Sequence, residues 1–442
     1  MKKIYLLLIV NTLTLIAVGQ EATLSLDDAK NYALKNNTDN IKSEMDVKIA
    51  KKKVAETRAI GLPQVVAEGN LQKFLDIPVS LAPANAFNPL APEGQLAELQ
   101  FGLEYNNNYG ISASQLIFDG SYIVGLQAAK TYKEISINNQ VKTEIQLLEE
   151  VTQAYFTVLI AKENTEILSQ TLNSTEKILM ETEALYEVGL TEEQNVEQLT
   201  LNVNEIKTQL GIAKGQINFA EKLLKLKIGM DIDSAIILSD NIEGFITGVT
   251  PLNADEFNVN NHIDFQMMEN NARLMKLNLR KEKYSFLPSV NLFFNHQQQN
   301  MNNEFDALSG GRYYPSTVLG AKLTLPILTS GSRLAKMSQA KIELEKSELD
   351  VQQVEQNLLY QSQLAQSNYE TDYEVYLNQK ENMELSKKIY DKTINKYKEG
   401  MASSLELSQT QNQYLSAEGK YIRSILDVLK SKSQLKLSYG SK

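Results

Sequence analysis

The chain has 442 residues and is acidic, with 44 Lys and Arg against 54 Asp and Glu and a net charge of −10. That balance argues against a nucleic-acid binder, which would usually carry a basic stripe. The sequence contains no cysteine, which excludes disulfides, thiolate metal sites and cysteine nucleophiles. Its two histidines, His262 and His296, lie far apart and offer little to a histidine-based metal site or a charge-relay enzyme.

The N-terminus has the three parts of an export signal. A lysine pair is followed by an apolar stretch over 4–18, in which the small residues Ala17 and Gly19 precede a cleavage site. We therefore expect residues 1–19 to be a signal peptide and the mature chain to begin at Gln20. A membrane anchor is the alternative, but the apolar stretch is short for a membrane span and polar sequence follows it.

Three short patterns occur twice in the same order, which indicates an internal duplication. They are a Leu-Pro pair, a segment ending in glycine and a Tyr-x-x-Gly sequence, at the following positions: 62–63 and 287–288, 115–120 and 326–331, 186–189 and 397–400. Gly120 and Gly189 are 69 residues apart, and so are Gly331 and Gly400. Equal spacing of this kind is typical of a chain built from two copies of one unit.

The two 69-residue segments predict long helices over 121–187 and 332–399. They contain no proline and consist mostly of good helix formers, with apolar residues at three- and four-residue steps. Each ends at a glycine suited to the left-handed position after a helix, and returning helices are predicted over 192–229 and 402–438. Each glycine would therefore mark the tip of an antiparallel helical hairpin.

Shorter helices, about 25–60 and 254–286, are predicted before the two Leu-Pro pairs. One leading and one returning helix together nearly match the length of a long helix. That match favours a two-layer tubular bundle over a spectrin-like rod. The predicted domains are a first repeat over 20–229, a linker over 230–253 and a second repeat over 254–442.

Between each Leu-Pro pair and the next glycine the pattern changes from helix to strand. Strand hairpins are predicted over about 64–118 and 289–327, and residues 318–325 alternate with the two-residue period of a strand that has one apolar face. Strands of about 8–11 residues are long enough to span a membrane. A soluble hairpin that caps the bundle is the alternative. Four strands cannot close a barrel and lipid does not tolerate open edges, so several chains would have to share one barrel.

This arrangement resembles the TolC family of outer-membrane efflux proteins, the trimeric exit ducts of Gram-negative export machines. The resemblance rests on the duplicated Leu-Pro strand start, the segment 115–120 that leads into a long helix, and the Tyr-x-x-Gly tips at 186–189 and 397–400. It covers nearly all of the mature chain. The repeated order of helix, strand pair, long helix, tip and returning helix is specific for the family, whereas any single motif is weak.

The resemblance implies a mainly α fold with a membrane β-barrel part. Duplicated long antiparallel helices would form a trimeric α-helical tunnel, and four strands per chain would contribute to a shared 12-stranded β-barrel. The homotrimer would lie in the lipid of the cell outer membrane, with a large periplasmic part that tapers shut at the tips. Residues 230–253 are similar to the family's equatorial insertion. A periplasmic adaptor (membrane fusion) protein, and through it an inner-membrane pump, would meet the tips at these residues: Tyr186, Gly189, Leu190, Tyr397, Gly400 and Met401.

The family's closed entrance is held by a tyrosine before the second tip glycine, an arginine after it and aspartates in the following helix. Carried over by distance from the tip glycines, these positions hold the following residues: Tyr397, Ala402, Glu406 and Gln409 in the second repeat, and Asn195 and Gln198 in the first. The arginine and the aspartates that hold the family's entrance closed are therefore mostly absent from this chain. In a trimer Glu406 would form a ring of three carboxylates that favours cations. The alternatives are a solvated glutamate at Glu406 and a tip-packing aromatic at Tyr397.

These features indicate an outer-membrane exit duct of a tripartite efflux or type I secretion system, which passively conducts substrates from adaptor and pump to the exterior. The alternative is a periplasmic adaptor or a coiled-coil scaffold of an export machine, although an adaptor would usually present one helical hairpin between β-rich domains. The sequence carries no catalytic, metal-binding or phosphate-binding motif, so we expect no enzyme, no metal site and no cofactor. The transported substrate cannot be read from the sequence.

Overall fold

The computed structural model describes residues 22–247, 249–250, 257–305 and 312–440. The predicted signal peptide lies outside the described residues. The chain forms two compact units. The helical unit contains the described residues up to 46 together with those of 137–267 and from 351 onwards, and the sheet unit contains 47–136 and those of 268–350.

The described residues form eight strands and eight α-helices in a twofold repeated order. The strands are the following: β1 Ala22–Leu24, β2 Gln64–Lys73, β3 Val79–Pro83, β4 Leu96–Gln100, β5 Tyr105–Phe118, β6 Ile236–Leu238, β7 Ser289–Asn302 and β8 Tyr314–Thr324. The helices are the following: α1 Leu26–Asn36, α2 Thr38–Ala59, α3 Gly120–Glu187, α4 Glu193–Ile228, α5 Ile242–Ile246, α6 Ile263–Tyr284, α7 Ser332–Lys398 and α8 Ser404–Ser438.

The long helices α3 and α7 contain 68 and 67 residues. They stand where the sequence predicted helices over 121–187 and 332–399. The first turn of α3 is capped by Asp119, whose Oδ1 accepts the backbone N–H of Tyr122 at 2.8 Å. Such a cap satisfies a backbone donor that has no partner within the helix. With proline absent, the ladder of backbone hydrogen bonds continues without a break to the tips.

The leading helix of the first repeat differs from the expectation of one helix over 25–60. It is broken at Asn37, whose backbone is extended with φ −66° and ψ 129°. The Asn37 side chain explains the break, since its Oδ1 accepts the N–H of Asp39 at 2.8 Å and so starts α2. Its Nδ2 donates to the carbonyl of Lys227 at 2.8 Å. In the second repeat, α6 begins at Ile263, later than the predicted 254, and residues 251–256 are not described.

The core of the helical unit is formed by buried side chains of α1, α3, α4, α7 and α8. Its largest fully buried side chain, Tyr155, lies at the centre of a polar link to the short parallel pair of β1 and β6. The Tyr155 hydroxyl lies 2.9 Å from the carbonyl of Leu24 and 2.9 Å from Oδ2 of Asp240, which also accepts the N–H of Leu26 at 2.8 Å. Burial, followed by the Asp240 carboxylate, raises the pKa of the Tyr155 phenol. These bonds fix the linker between the repeats to α3.

The sheet unit holds one antiparallel sheet in the order β2-β5-β7-β8. Each repeat contributes a strand pair that begins directly after its Leu-Pro pair, at Gln64 and at Ser289. The central pair, β5 and β7, joins the two repeats. The separate hairpin of β3 and β4 lies within the predicted 64–118 segment and was not anticipated from the sequence. In this order β2 and β8 each have one strand neighbour, so each has one edge that no described strand pairs.

None of the described helices combines the length with the apolar character needed to cross a bilayer.

Candidate functional site: the hairpin tips and the two-faced sheet

The two hairpin tips end their long helices with the same backbone motif. Gly189 and Gly400 both have φ +75°, the left-handed conformation that the sequence predicted for them. The N–H of each glycine bonds the carbonyl of the tyrosine three residues earlier, at 2.9 Å from Tyr186 and 3.0 Å from Tyr397. The next N–H reaches back five residues at 2.8 Å in both tips. This pair of bonds is the Schellman motif, which satisfies carbonyl groups left over at a helix end.

Apolar side chains project from both tips into solvent. Leu190 is 75% exposed and Met401 is 66% exposed, and Val188 beside the first tip is 68% exposed. Large apolar groups at the end of a hairpin are a common mark of a protein–protein contact. The tips therefore have both a defined backbone and a surface suited to a partner.

Tyr397 is half-buried and bonds across to the first hairpin. Its hydroxyl lies 2.9 Å from Oγ1 of Thr182 on α3. Because the Thr182 hydroxyl donates to the carbonyl of Ile178 at 2.8 Å, we assign Tyr397 as the donor. Lys398 and Glu181 add an ion pair at 3.2 Å between the same helices. The structure therefore gives Tyr397 a tip-packing contact within one chain.

The other predicted entrance residues have different environments. Asn195 is turned toward α8, where its Oδ1 accepts the hydroxyl of Ser404 at 2.6 Å. Glu406 and Gln409 are exposed, and Gln198 is half-buried. Glu406 is in the first turn of α8, and its N–H bonds Oγ of the capping residue Ser403 at 3.2 Å. A carboxylate there also interacts favourably with the positive end of the helix dipole.

A set of buried or half-buried uncharged polar side chains, here called the polar ladder, connects the four helices near the tips. Each helix contributes two residues that are seven positions apart, in two layers: Thr175 and Thr182 from α3, Asn195 and Asn202 from α4, Tyr390 and Tyr397 from α7, and Ser404 and Gln411 from α8. Sequence analysis singled out only Asn195 and Tyr397. The signal that would have found the rest is the seven-residue repetition, because that period keeps residues on the seam of packed helices.

Gln411 is the central member of the polar ladder and is only 2% exposed. Its Nε2 donates to the hydroxyl of Thr175 and, at 3.1 Å, to the hydroxyl of Tyr390. Its Oε1 accepts Nδ2 of Asn202 at 3.3 Å, and Oδ1 of Asn202 accepts the hydroxyl of Ser408 at 2.7 Å. Burial raises the pKa of the Tyr390 phenol, which keeps that group neutral. These hydrogen bonds between neutral groups join the two hairpins near their tips, beside a buried apolar cluster that contains Ile178, Leu199 and Leu407.

Over the half of the strands nearer the Leu-Pro pairs, the main sheet has one mostly apolar face and one polar face. Towards the other strand ends the apolar face also carries Lys73, Asn107, Gln298, Asn300 and Asn302. Strand register places Val65, Ala113, Phe294 and Leu319 in one row across all four strands. This apolar face is largely uncovered, as Leu319 is 79% exposed and Val65 is 67% exposed. His296 and Thr317 on this face are polar, and their side chains are hydrogen-bonded to each other, with Nδ1 of His296 2.8 Å from Oγ1 of Thr317.

The opposite face carries mainly amide and hydroxyl side chains with few charges. Its polar members are the following: Glu68, Asn70, Gln72, Asn106, Asn108, Ser112, Ser114, Asn291, Asn295, Gln297, Gln299, Ser316 and Lys322. Phe293 lies on this face over Gly320, where an added Cβ would meet the ring at 2.5 Å. A sheet with one apolar and one polar face is suited to separating lipid from water.

In the described ranges, no set of three or more His, Asp or Glu side chains is placed to hold a metal ion.

The same fold occurs in solved outer-membrane channels. The chain is 17% identical to CusC, with a TM-score of 0.75 over 94% of this chain and 92% of that one. It is 18% identical to the Campylobacter jejuni CmeC outer membrane channel, with a TM-score of 0.70 over 94% of this chain and 85% of that one. The Neisseria gonorrhoeae MtrE outer membrane channel is also 18% identical, with a TM-score of 0.70 over 94% and 89%. No curated protein sequence matches the chain.

The fold is therefore that of the outer-membrane channels, and the family follows from the sequence match. The model of the outer membrane efflux protein family matches residues 30–229 and 259–441, so the chain belongs to that family. The two matched ranges fall on the two repeats and leave out the linker between them. As a member of this family, the chain is an outer-membrane exit duct of an efflux system.

Valine at either tip glycine should reduce export while the protein still folds. A left-handed backbone costs a residue with a side chain about 1–2 kcal/mol, which is too little to unfold a chain with such long helices. Gly189→Val and Gly400→Val would nevertheless disturb the tip motif. The measurement is export activity in cells, normalised to the amount of protein in the outer-membrane fraction.

The matched control for the tip variants is Gly331→Val. Gly331 also has a left-handed backbone, with φ +82°, and open space around the position of a Cβ, but it lies at the start of α7 and not at a tip. Its valine variant should bear the same strain and keep export. Equal export in all three variants would show that the tips are not the functional ends.

Proposed function

We propose that the chain forms a homotrimeric channel in the cell outer membrane, with a large periplasmic part, and that it passively conducts substrates outward. The observation that carries this proposal is the sheet, which combines one apolar face, one polar face and two unpaired edges. In this proposal the apolar face meets outer-membrane lipid and the polar face lines a water-filled passage.

The unpaired edges support the sharing of one barrel among chains. The outer edges of β2 and β8 leave backbone N–H and C=O groups without strand partners in the single chain. Lipid offers no hydrogen bonds to such groups, so a spanning sheet must close. Pairing β2 of one copy with β8 of the next closes the sheet into a barrel. That three copies take part, which gives 12 strands, comes from the resemblance to the TolC family. At 14 residues, β5 and β7 exceed the length that a membrane-spanning strand needs.

The tips support docking of a periplasmic adaptor protein. Leu190 and Met401 are exposed apolar residues that directly follow the two tip glycines. The most fitting partner is a helical hairpin with its own apolar seam, since packed helices bury such residues along a stripe. An inner-membrane pump would then act through the adaptor, in a tripartite efflux or a type I secretion arrangement. We propose a conduit and not an enzyme, with Gly189 and Gly400 shaping the docking surface.

The entrance residues are proposed as a weak gate in this chain. Tyr397 bonds Thr182, and Asn195 bonds Ser404, so both strengthen contacts between hairpins of one chain. Gln198 and Gln409 are neutral, and Glu406 supplies the charge of this set. The ring of three Glu406 carboxylates is therefore the proposed charge of the periplasmic entrance. The rival function, a periplasmic adaptor or scaffold, would leave the amphipathic sheet without a role.

Fractionation and cross-linking test the proposal. The mature protein should sediment with outer membranes, and chemical cross-linking in detergent should stop at three chains. This outcome follows from closure of the shared barrel. A clean monomer recovered from the soluble periplasm would contradict the channel and favour the adaptor or scaffold.

Glu406→Gln should lower cation preference in single-channel recordings and weaken block by divalent cations. Three like charges crowded at a constriction attract cations, and the substitution removes them without removing buried surface, because Glu406 is exposed. The control is Glu193→Gln, an exposed carboxylate in the first turn of α4. Selectivity and block that do not change in Glu406→Gln would place this side chain away from the passage.

A further inference from the structure

The helical unit contains a cavity that the channel function does not use. Its volume is about 290 Å³, and it is lined by side chains of α1, α3, α5 and α8. Its lining separates into a cationic part and an apolar part. That combination points to a ligand with two chemically different ends.

The cationic part consists of three lysines. Lys30 comes from α1, and Lys432 and Lys436 lie one turn apart on α8. Burial lowers the pKa of Lys30 and of Lys432, and the charge of Lys436 lowers both pKa values further. The Lys436 ammonium therefore repels both Lys30 and Lys432, and this happens on a chain whose net charge is negative.

Two carboxylates oppose Lys30, since Asp27 and Glu149 both raise its pKa. Of the two, Glu149 lines the cavity, and it also has other hydrogen-bond partners. Oε1 of Glu149 accepts Nε2 of Gln153 at 2.7 Å, and its Oε2 accepts the hydroxyl of Ser433. Within the described part of the chain, neither Lys30 nor Lys436 is in an ion pair, whereas Lys142 nearby on α3 binds Asp264 at 2.7 Å. Lys436 thus brings to the cavity a positive charge that forms no ion pair within the described residues, which favours an incoming anion.

The apolar part faces the same space. It is formed by Leu26 of α1, Ile145 and Leu148 of α3, and Leu429 of α8, closed by an aromatic pair. That pair is Phe156 and Phe245, whose rings meet edge to face with centroids 5.1 Å apart. A hydrocarbon group placed here would leave water for a largely apolar surface, and that transfer is favourable.

We propose that this cavity binds a small anionic amphiphile, a carboxylate, sulfate or phosphate head on a short hydrocarbon tail. The head binds between Lys30 and Lys436, and the tail lies against Phe156 and Phe245. Charge complementarity supports the head, and the apolar lining supports the tail. The ligand thus requires both features, which separates it from a simple inorganic anion and from a neutral hydrocarbon.

The test uses the full-length protein in nanodiscs of zwitterionic lipid, titrated with octanoate by calorimetry. Lys30→Gln and Lys436→Gln should each weaken octanoate binding about tenfold, since each removes one charge-assisted hydrogen bond. Lys420→Gln, an exposed lysine on the same helix α8, is the matched control and should bind as the unaltered protein does. Lys436→Arg keeps the charge and should retain binding, which separates loss of charge from loss of fold.

Two further probes separate the parts of the ligand. Octan-1-ol and octyltrimethylammonium, which have the same tail with a neutral or cationic head, should bind at least tenfold more weakly than octanoate. Nanodiscs that contain phosphatidylglycerol identify the source of the anion. If that lipid competes with octanoate, the amphiphile is a membrane lipid, and if it does not, the amphiphile is a free solute.

Three results would overturn the proposal. One is octanoate binding that neither glutamine variant weakens. Another is octan-1-ol binding as tightly as octanoate. The third is an absence of octanoate binding to the unaltered protein, and a lower melting temperature of the oligomer in Lys436→Gln would then assign the lysines to a contact with a neighbouring copy. Channel conductance is independent of all three, so the proposed function stands or falls separately.

Discussion

The need to pair every backbone polar group is the constraint on which the rest of this structure depends. A four-stranded sheet with an uncovered apolar face is poorly suited to water, and its two open edges are unsuited to lipid. Both problems have one solution, which is to place the sheet in a membrane and share it with further copies. In the proposed assembly the polar face, rich in Asn, Gln and Ser, turns inward and provides a hydrated passage with few fixed charges.

The contact between the two hairpins near the tips also uses few charged groups. The polar ladder joins the two hairpins through Gln411, Asn202 and their partners, which are neutral and buried. Neutral hydrogen bonds are less sensitive to salt than ion pairs, because screening acts on charges. A contact of this kind sets the register of the helices, since an unmatched buried amide is costly. In the proposed channel the tips form the entrance, and these contacts serve alignment more than ionic locking, in line with Ala402 at the position that the family resemblance assigns to an arginine.

The sequence predicted those parts of the fold that depend on local chemistry. The two long helices and the left-handed tips follow from proline-free helical segments and a glycine at each end, and the structure has them at Gly189 and Gly400. The break at Asn37 was missed because it depends on a side chain that caps the next helix and bonds Lys227, far away in sequence. The β3–β4 hairpin and the polar ladder were missed for a related reason. Each depends on which segments meet in space, and the seven-residue repetition on one helix does not show which polar side chains it faces on the others.

The most direct test of this account uses the absence of cysteine from the chain. A cysteine at Ala67 of β2 is combined in turn with a cysteine at Thr317, Leu319 or Ala321 of β8, all on the apolar face, and native membranes are oxidised. If the edges of neighbouring copies pair to close a shared barrel, at least one combination should give disulfide-linked species that end at three chains on a non-reducing gel. Monomers alone for every combination, or a series that continues beyond three, would contradict the account.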